Sequence, residues 1–552
     1  MKKIKLILEN GETLEVEKGI IIKKVIDDNL SSEKKSAILA RLNGKVVELT
    51  TPIMEDGKLE VINLSDKMAH GSYVRTLQFI LIRAVHDILP SATITLEHSL
   101  NKGLFGEIHK EDDLTEKDIE KIKIRMKEII SEDIPIRKVA VTKEEALKIF
   151  KEYNMDDKIR LIKNVSSKKL KLYELQGRYD YFYGSMAYST GSINLFDLIL
   201  YKPGFILLFP HEDDIDNLPK KKDDKKLAQV FYETEKWGNI LGVPDVGSLN
   251  EKVLDNDIID IIRVQEAFHE KKIAYIADTI ASREKARIIL IAGPSSSGKT
   301  TFAKRLGIQL RVNGLIPYYI SLDDYFVDRA HTPKDEKGDY DFESIEALDL
   351  KLFNENLTDI LLEKQVKIPE YDFKSGTRKW NGKMIELPKN GVLIIEGIHG
   401  LNEKLTSKIP RQNKFKIYIS ALTQLNLDNH NRIATTDVRI IRRIVRDSLS
   451  RGYGAEDTLK MWDSIKRGEK KNIFIYQEEA DLMFNSSLVY ELCILKKYAL
   501  NELMKIDSTS SVYYEALRLK SFLNFFKEVD KDIVPENSIL REFTGGSCFY
   551  KY

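Results

Sequence analysis

The chain has 552 residues, of which 42% are hydrophobic and 31% are charged, which excludes a single small core and predicts three or more packed globular units. The 87 Lys and Arg residues are matched by 86 Asp and Glu residues. The chain therefore lacks the basic composition of a dedicated nucleic-acid binder, although a local basic face is compatible with that average. With two cysteines, Cys493 and Cys548, neither a disulfide framework nor a cysteine-based zinc site is available.

The first 65 residues predict a compact ββαββ module. Apolar and polar residues alternate with a period of two in KIKLILENGETLEVEKG, and a turn at Asn10-Gly11 separates two strands. A helical stretch follows, and AILARLNGKVVELT and KLEVIN are two further strand-like pieces. The amino terminus has no apolar run of signal-peptide length, and no segment has the roughly 18 apolar residues of a membrane span. We therefore expect a cytoplasmic protein without a membrane partner.

Residues 66–212 predict a mixed α+β unit. Three segments have helical periodicity: YVRTLQFILIRAVHDIL, TEKDIEKIKIRMKEIISEDIP with a Thr cap, and TKEEALKIFKEY. Aromatic-rich strands are expected between Tyr173 and Phe209. Residues 213–283 then form a linker and helical connector, because the charge-rich, Pro-containing FPHEDDIDNLPKKKDDKK interrupts the pattern before helices resume near residue 227.

Residues 284–500 predict an α/β domain with a doubly wound parallel sheet. The apolar strands ARIILIAG, PYYISL, GVLIIEG and KFKIYIS alternate with helices, as such a sheet requires. Residues 501–552 predict a C-terminal helical segment and tail. Its expected role is packing against the preceding domain.

The stretch AGPSSSGKTT predicts a phosphate-binding loop. Gly293, Gly298, Lys299 and Thr300 satisfy G-x-x-x-x-G-K-[ST], with a strand before the loop and a helix after it. Backbone amides and the helix N-terminus would face the anion, and Thr300 would bind Mg²⁺. We therefore expect ATP and Mg²⁺ as cofactors. The candidate ATP-binding residues are Gly293, Ser295, Ser296, Ser297, Gly298, Lys299, Thr300 and Thr301.

Carboxylates follow two of the predicted strands. Asp323 and Asp324 end PYYISLDD, where one could accept the proton of an attacking hydroxyl; a cap or turn is the alternative. Glu396 ends GVLIIEG and suits Mg²⁺ or its waters; a buried structural carboxylate is the alternative. These groups predict a kinase site.

An arginine-rich helix, DVRIIRRIVRDSLSRG, follows the last predicted strand. Arg439, Arg442 (or Arg443) and Arg446 recur at i, i+3/i+4 spacing and lie along one face. They could close over a transferring phosphoryl group as a lid. A solvated face is the alternative.

These motifs, together with IPEYDFKSGTR, VLIIEGIHGL and EEADLMFNSSL, resemble the uridine kinase/phosphoribulokinase family over roughly residues 285–490. The resemblance implies that Asp323 is the catalytic base for a nucleoside 5′-hydroxyl, with Lys299, Arg442 and Arg446 also catalytic, and that Thr300 and Glu396 bind Mg²⁺. The substrate-binding residues that it implies are Asp323, Tyr325, Glu343, Tyr371, Arg378 and Arg439.

One position departs from that family. Uridine/cytidine kinases read the base with a histidine where this sequence has Gly376. The sequence therefore retains the residues of the kinase reaction but does not indicate which base the site recognises. The expected acceptor is a nucleoside, with another hydroxylated metabolite such as a sugar phosphate as the alternative. The insertion TQLNLDNHNRIATTD could also reshape the acceptor side.

The N-terminal part resembles the front of threonyl-tRNA synthetases. Residues 1–65 resemble the β-grasp TGS domain through LNGKVVEL, and residues 72–205 resemble the second additional, editing domain. The four metal-ligand positions of that domain are Arg75, Phe79, Phe182 and Met186 here, which are not zinc donors. We expect no zinc and no editing. A nucleotide-switched protein that contacts tRNA or other RNA through these domains is the third hypothesis, and the oligomeric state is open.

Overall fold

The structure is a computed structural model that describes residues 3–30, 36–220, 224–334, 338, 340–372 and 375–550. The chain forms two compact units. The first comprises Met1–Asp224, Asp245–Ser248 and Leu425–Arg432, and the second comprises Lys225–Pro244, Leu249–Gln424 and Ile433–Tyr552. Among the helices of the described residues, none has the length and apolar character that a membrane crossing requires.

The first unit begins with a five-stranded sheet and one helix. Its elements are β1 (Lys3–Leu8), β2 (Thr13–Glu17), α1 (Ile22–Asn29), β3 (Ala37–Leu42), β4 (Lys45–Glu48) and β5 (Gly57–Asn63). The strand order is β2-β1-β5-β3-β4, and β1 and β5 are parallel. The module is therefore ββαβββ rather than the predicted ββαββ. The difference arises because a two-residue turn at Asn43-Gly44 divides AILARLNGKVVELT into a hairpin.

The rest of the first unit is the predicted mixture of helices and antiparallel strands. Its elements are α2 (Lys67–Ile88), β6 (Thr93–Leu100), β7 (Gly103–His109), α3 (Glu116–Ser131), β8 (Arg137–Thr142), α4 (Lys143–Glu152), α5 (Asp156–Lys163), β9 (Lys169–Leu175), β10 (Arg178–Asp180), β11 (Asp197–Tyr201) and β12 (Gly204–Leu208). Capping boxes at Thr115 and Thr142 start α3 and α4. Helix α2 begins earlier than the apolar pattern indicates, because the Asp66 carboxylate caps it by accepting from the Met68 N–H at 2.7 Å.

The second unit contains the connector helices and a five-stranded parallel sheet. Residues 221–223 of the predicted linker lie outside the described residues. The helices up to this sheet are α6 (Lys225–Leu241), α7 (Val246–Leu254), whose first residues belong to the first unit, and α8 (Ile258–Ala281). The strands of the second unit are β13 (Ile288–Ala292), β14 (Ile316–Ser321), β15 (Val366–Lys367), β16 (Glu370–Asp372), β17 (Thr377–Lys379), β18 (Met384–Ile385), β19 (Gly391–Glu396), β20 (Lys414–Ser420) and β23 (Leu482–Asn485). Between β20 and β23 in the chain, β21 (Asn426–Asp428) and β22 (Asn431–Arg432) belong to the first unit.

The sheet of the second unit is parallel, in the order β14-β19-β13-β20-β23. The four strands predicted from apolar runs are confirmed. Strand β23 was missed because its four residues are too short for a periodic signal. Because all five strands run in one direction, their carboxyl ends share one edge, which is where ligands bind in such sheets.

Helices cover this sheet and complete the unit. They are α9 (Lys299–Val312), α10 (Leu350–Leu361), α11 (Thr435–Ser450), α12 (Ala455–Asn472), α13 (Glu491–Leu503), α14 (Tyr513–Leu523) and the short α15 (Arg541–Thr544). We call residues 531–550, which include α15, the tail segment. Ile539, Leu540 and Phe543 of the tail segment are fully buried, so it is part of the core of the second unit.

Part of the predicted insertion belongs to the first unit. Within that unit, the Leu96 N–H donates to the Asn429 carbonyl at 2.8 Å. The buried Lys158 ammonium lies 2.9 Å from Asp428 and 3.0 Å from Asp180. Residues 425–432 are thus held within the first unit by backbone pairing and a buried ion cluster, and their effect on the acceptor side stays a prediction.

Candidate active site

The loop between β13 and α9 wraps tightly at the carboxyl edge of the sheet. All five residues of β13 are buried, which fixes the start of the loop. A Cβ atom on Gly293 would lie 2.0 Å from the Ile419 carbonyl oxygen, so a side chain cannot fit there. Ser296 and Gly298 adopt φ of 59° and 81°. The predicted phosphate-binding loop therefore has the close backbone curvature that its sequence pattern implies.

Polar donors line this loop. The Lys299 ammonium donates to the carbonyls of Gly293 at 3.0 Å and Pro294 at 3.1 Å. Burial lowers the pKa of Lys299, and nearby carboxylates oppose that shift. The hydroxyls of Ser296 and Ser297 are buried and have no hydrogen-bond partner within the described residues. Unpaired buried hydroxyls are costly unless a ligand or water satisfies them, so these groups fit an anion site.

Thr300 and Glu396 lie together behind the loop. The Thr300 hydroxyl is 3.0 and 3.1 Å from the two carboxylate oxygens of Glu396. Burial raises the pKa of Glu396 to about 7, reinforced by the Asp323 charge and opposed by Lys299. A hydroxyl beside a carboxylate that lacks a full counter-charge is a donor set that suits Mg²⁺. The predicted metal residues thus fit the ion that this loop type requires.

Asp323 lies in a single helical turn, Leu322–Tyr325, directly after β14. Its side chain is exposed at the mouth of the site, although protein surrounds the carboxylate on its other sides. This loss of surrounding water raises the pKa of Asp323, while Lys299 and Arg446 lower it. The neighbouring Asp324 accepts from the Tyr371 N–H at 3.4 Å. Asp323 is therefore the more exposed of the two carboxylates.

Tyr325 does not reach the site. Its side chain is fully buried, its hydroxyl accepts from Asn356 at 3.0 Å, and its ring centroid is 4.9 Å from that of Phe353. We correct its predicted role in substrate binding, because core packing of the tyrosine ring decides its direction.

Glu343 borders the site from the other side. It packs on Gly468 of α12, where an added Cβ would lie 2.5 Å from the Glu343 Cβ. Burial raises the pKa of Glu343 to about 7, with Glu469 adding to the shift and Arg443 opposing it. The predicted ribose-binding carboxylate is thus placed among the charges of the loop and the arginine helix.

The region expected to read a base is formed by β16 and β17. Tyr371 is buried, with its ring centroid 5.5 Å from that of Phe326. Gly376 has φ of 70°, and an added Cβ would lie 2.8 Å from Nε of Arg329. A histidine at this position would meet the arginine. Arg329, which the sequence pattern did not single out, therefore takes the place beside Gly376.

Arg378, predicted to bind substrate, has structural partners. Its guanidinium donates to Asp349 at 3.0 Å and to the Phe326 carbonyl at 3.2 Å. The Arg378 N–H also donates to Asp328 at 3.1 Å. These bonds hold the strand pair to the turn after Asp323, so Arg378 supports the pocket wall.

The arginines of α11 are buried against the loop. Arg439 donates to the Ser295 carbonyl at 2.9 Å and pairs with Glu469. Arg442 donates to the Ser296 carbonyl at 3.3 Å and pairs with Glu491 at 2.5 Å. With 2% and 0% of Arg439 and Arg442 exposed, the solvated-face alternative is wrong. The predicted one-sided alignment is present, and these two side chains brace the loop.

Arg443 and Arg446 lie further along the same helix. Arg443 donates to the Ser295 hydroxyl at 2.6 Å. Arg446 pairs with Asp447 at 2.7 Å, and its charge lowers the pKa of Asp323. Arg446 is thus the predicted lid arginine whose charge acts on the proposed base.

Two carboxylates of the site were not found from the sequence. Glu469 of α12 accepts from the Ser295 N–H at 2.7 Å. Glu542 of the tail segment accepts from the Thr301 N–H at 3.2 Å and the Thr301 hydroxyl at 2.7 Å. Both lie far from the loop in sequence and belong to no recognised motif, so no local pattern could indicate them.

The structure also places the four residues at which the synthetase resemblance predicts metal-ligand positions, Arg75, Phe79, Phe182 and Met186. The ring centroids of Phe79 and Phe182 are 5.2 Å apart, and Phe79, Phe182 and Met186 are at most 3% exposed. Arg75 donates to the Ser185 carbonyl at 2.8 Å. Phe79 and Phe182 thus pack against each other in the core of the first unit, and the assignment of the four positions stays a prediction.

A scan of family models matches residues 288–491 to "Phosphoribulokinase / Uridine kinase family". The N-terminal part is similar to the threonine–tRNA ligases of Clostridium novyi (strain NT), 30% identical over 174 residues, and of Caldanaerobacter subterraneus subsp. tengcongensis, 32% identical over 253 residues. These matches cover 32% and 42% of this chain, and 27% and 39% of the two ligases. The chain therefore spans well under half the length of these curated relatives.

Solved structures with some similarity include one described as a possible uridine kinase from Bacillus stearothermophilus. It is 24% identical, covers 39% of this chain and 98% of its own, and has a TM-score of 0.24. A D-glycerate 3-kinase from Cryptococcus neoformans var. grubii is 15% identical, covers 50% of this chain and 87% of its own, and has a TM-score of 0.23. Residues 288–491 match the phosphoribulokinase/uridine kinase family model, in a chain whose N-terminal part is similar to threonine–tRNA ligases.

Proposed function

We propose that the protein is an ATP-dependent kinase that phosphorylates the 5′-hydroxyl of a nucleoside. One observation carries the proposal: Lys299 and Asp323, which follow β13 and β14, and Glu396, which ends β19, lie near one another at the carboxyl edge of one parallel sheet. The family match over residues 288–491 supports a phosphotransferase that acts on a small molecule.

In this proposal the loop holds the nucleotide phosphates. The first-turn N–H groups of α9 have no partner within the helix and favour an anion. Lys299 adds a positive charge, and the unpartnered hydroxyls of Ser296 and Ser297 add two further donors. Thr300 and Glu396 would hold Mg²⁺, which neutralises charge on the phosphate oxygens when it is bound.

Asp323 accepts the proton of the acceptor hydroxyl. Its raised pKa makes it a stronger base than an ordinary aspartate, and the charges of Lys299 and Arg446 oppose that rise. There is no covalent intermediate on the protein, so catalysis comes from positioning and from neutralising the transferred charge.

The acceptor side does not carry the base-reading histidine, since Gly376 stands at that position. Tyr371 and Glu343 are the predicted contacts for a base and ribose. Arg329 beside Gly376 supports a second candidate acceptor, an anionic metabolite such as a sugar phosphate, because a guanidinium pairs well with phosphate oxygens.

The test is ADP release from purified protein with Mg²⁺-ATP and a panel of ribonucleosides, deoxyribonucleosides and sugar phosphates. Acceptor-dependent turnover with nucleosides would support the first candidate, and turnover with sugar phosphates alone would favour the second. ATP binding without turnover on any acceptor would overturn the kinase proposal. The nucleotide-switched RNA-binding hypothesis would then be tested by salt-dependent filter binding to total tRNA.

A further inference from the structure

The tail segment contacts the donors that a nucleotide needs. Thr301 is the third residue of α9, within the first turn whose N–H groups lack helical partners. Its N–H and its hydroxyl both donate to one carboxylate oxygen of Glu542, at 3.2 and 2.7 Å. The Tyr550 hydroxyl lies 3.1 Å from the same Thr301 hydroxyl. An anion supplied by the chain itself therefore occupies the N-terminus of α9.

This contact is built into the packing of the tail segment. Glu542 is 7% exposed, and its neighbour Phe543 is fully buried with its ring centroid 5.0 Å from the Arg442 guanidinium. Ile539 packs on the loop itself, since a Cβ on Gly298 would lie 2.5 Å from the Ile539 side chain. Arg541 anchors α15 by donating to the Val534 carbonyl at 2.7 Å. The carboxylate is thus aimed at Thr301 by a folded element.

The same donors cannot serve Glu542 and a phosphate at once. An N–H and an O–H each have one hydrogen to donate, and the backbone N–H groups of the loop and the helix N-terminus are the donors that hold phosphates in loops of this type. A carboxylate beside a phosphate would add like-charge repulsion. The charge of Glu542 also interacts with charged groups of the loop. It raises the pKa of Glu396 and opposes the lowering of the pKa of Lys299.

We propose that the tail segment is an autoinhibitory element, in which the Glu542 carboxylate competes with the phosphates of ATP for Thr301. This inference rests on the proposed function. ATP then binds the fraction of molecules in which Glu542 has left Thr301, and its apparent affinity is reduced by that fraction. Any event that moves the Glu542 carboxylate away from Thr301 would raise the affinity for ATP.

The test compares ATP binding, without acceptor, in the full-length chain and two variants. Glu542→Ala removes the competing acceptor, and Glu542→Gln removes the charge while keeping the shape. We expect the Kd for Mg²⁺-ATP in isothermal titration to fall about tenfold in the alanine variant, which is the scale of one charge-assisted hydrogen bond. The glutamine variant should give a smaller fall. Glu536→Gln, an exposed carboxylate of the same segment, is the matched control and should bind like wild type.

The outcomes separate this inference from the proposed function. Equal Kd values in wild type and both Glu542 variants, or weaker binding in them, would overturn autoinhibition and leave the kinase proposal standing. No ATP binding by any of the proteins would instead overturn the kinase proposal. Near-ultraviolet circular dichroism checks the fold of each variant, and the glutamine variant carries the test where alanine disturbs the packing of the tail segment.

Discussion

The phosphate-binding loop and the cluster of Phe79, Phe182 and Met186 in the first unit both bring together segments that are distant in sequence. The loop contains buried polar groups, whereas apolar side chains fill the cluster. At the loop, the hydroxyls of Ser296 and Ser297 are buried without partners among the described residues. In the first unit, Phe79, Phe182 and Met186 exclude water almost completely. A site that keeps unsatisfied donors loses stability and can bind a ligand, whereas apolar packing converts a site into core.

This contrast predicts that the two regions respond differently to substitution. At the phosphate-binding loop and at Asp323, a change should affect binding or turnover more than stability. In the apolar cluster, a change should affect stability and leave the kinetic constants of the folded protein unchanged. The following predictions test this separation, starting with the largest effect.

Asp323→Asn should abolish most turnover while ATP binding persists. The amide cannot accept the acceptor proton, and loss of a positioned base costs roughly 10²–10⁴-fold in rate. Steady-state ADP release gives kcat, and titration gives the Kd for ATP. Asp324→Asn is the matched control, because Asp324 instead accepts from the Tyr371 N–H. A wild-type rate in Asp323→Asn would remove Asp323 from the base role.

Phe182→Ala should destabilise the first unit without changing ATP affinity. The ring is 3% exposed and packs on Phe79, and such truncations leave cavities that cost about 3–5 kcal/mol. Urea unfolding measures the loss. Ile124→Ala, at a residue 49% exposed in the same unit, is the control and should change stability by less than about 0.5 kcal/mol. A mild effect of Phe182→Ala would show that the cluster is not tightly packed.

Glu343→Gln should change how stability depends on pH. Burial raises the pKa of Glu343 from 4.5 to about 7, so the folded protein binds this proton more tightly than the unfolded chain does. The stabilisation that protonated Glu343 gives the wild-type fold is therefore fully present below pH 4.5 and is lost as pH rises through about 7.

Because a glutamine side chain does not ionise, the Glu343→Gln variant should gain stability relative to wild type across that window, by on the order of 1 kcal/mol after discounting for solvent. Thermal unfolding at a series of pH values measures the difference. Glu346→Gln is the control, since hydrogen bonding to Ser344 lowers the pKa of that carboxylate. A difference between Glu343→Gln and wild type that is constant with pH would contradict the raised pKa.

The sequence predicted the parts of the site that are local. Apolar runs identified β13, β14, β19 and β20, and the G-x-x-x-x-G-K-[ST] spacing located the loop between β13 and α9. It could not predict partners joined only by the tertiary fold. Glu469 is 174 residues from Ser295 and Glu542 is 241 residues from Thr301, so neither contact leaves a periodic signal.

Burial of the arginine helix illustrates the same limit. Helical spacing placed Arg439 and Arg442 on one face, yet spacing does not tell which surface covers that face. Phe543 of the tail segment and Trp462 of α12 lie over these guanidinium groups. The predicted substrate-binding role of Tyr325 was wrong for a related reason. Its hydrogen bond to Asn356 of α10 depends on how that helix packs, which the sequence pattern does not indicate.

Arg329→Ala should have the smallest effect of these substitutions, and it tests whether the acceptor side binds a nucleoside or an anionic metabolite. The guanidinium beside Gly376 would contact the acceptor equally in the bound and transition states, so KM should rise two- to tenfold, on the order of 1 kcal/mol, with kcat unchanged. A larger rise for sugar phosphates than for nucleosides would identify Arg329 as an anion contact. Arg263→Ala, whose side chain is 74% exposed, is the control. Unchanged KM for every acceptor would place Arg329 outside the pocket and leave Tyr371 and Glu343 as the predicted contacts.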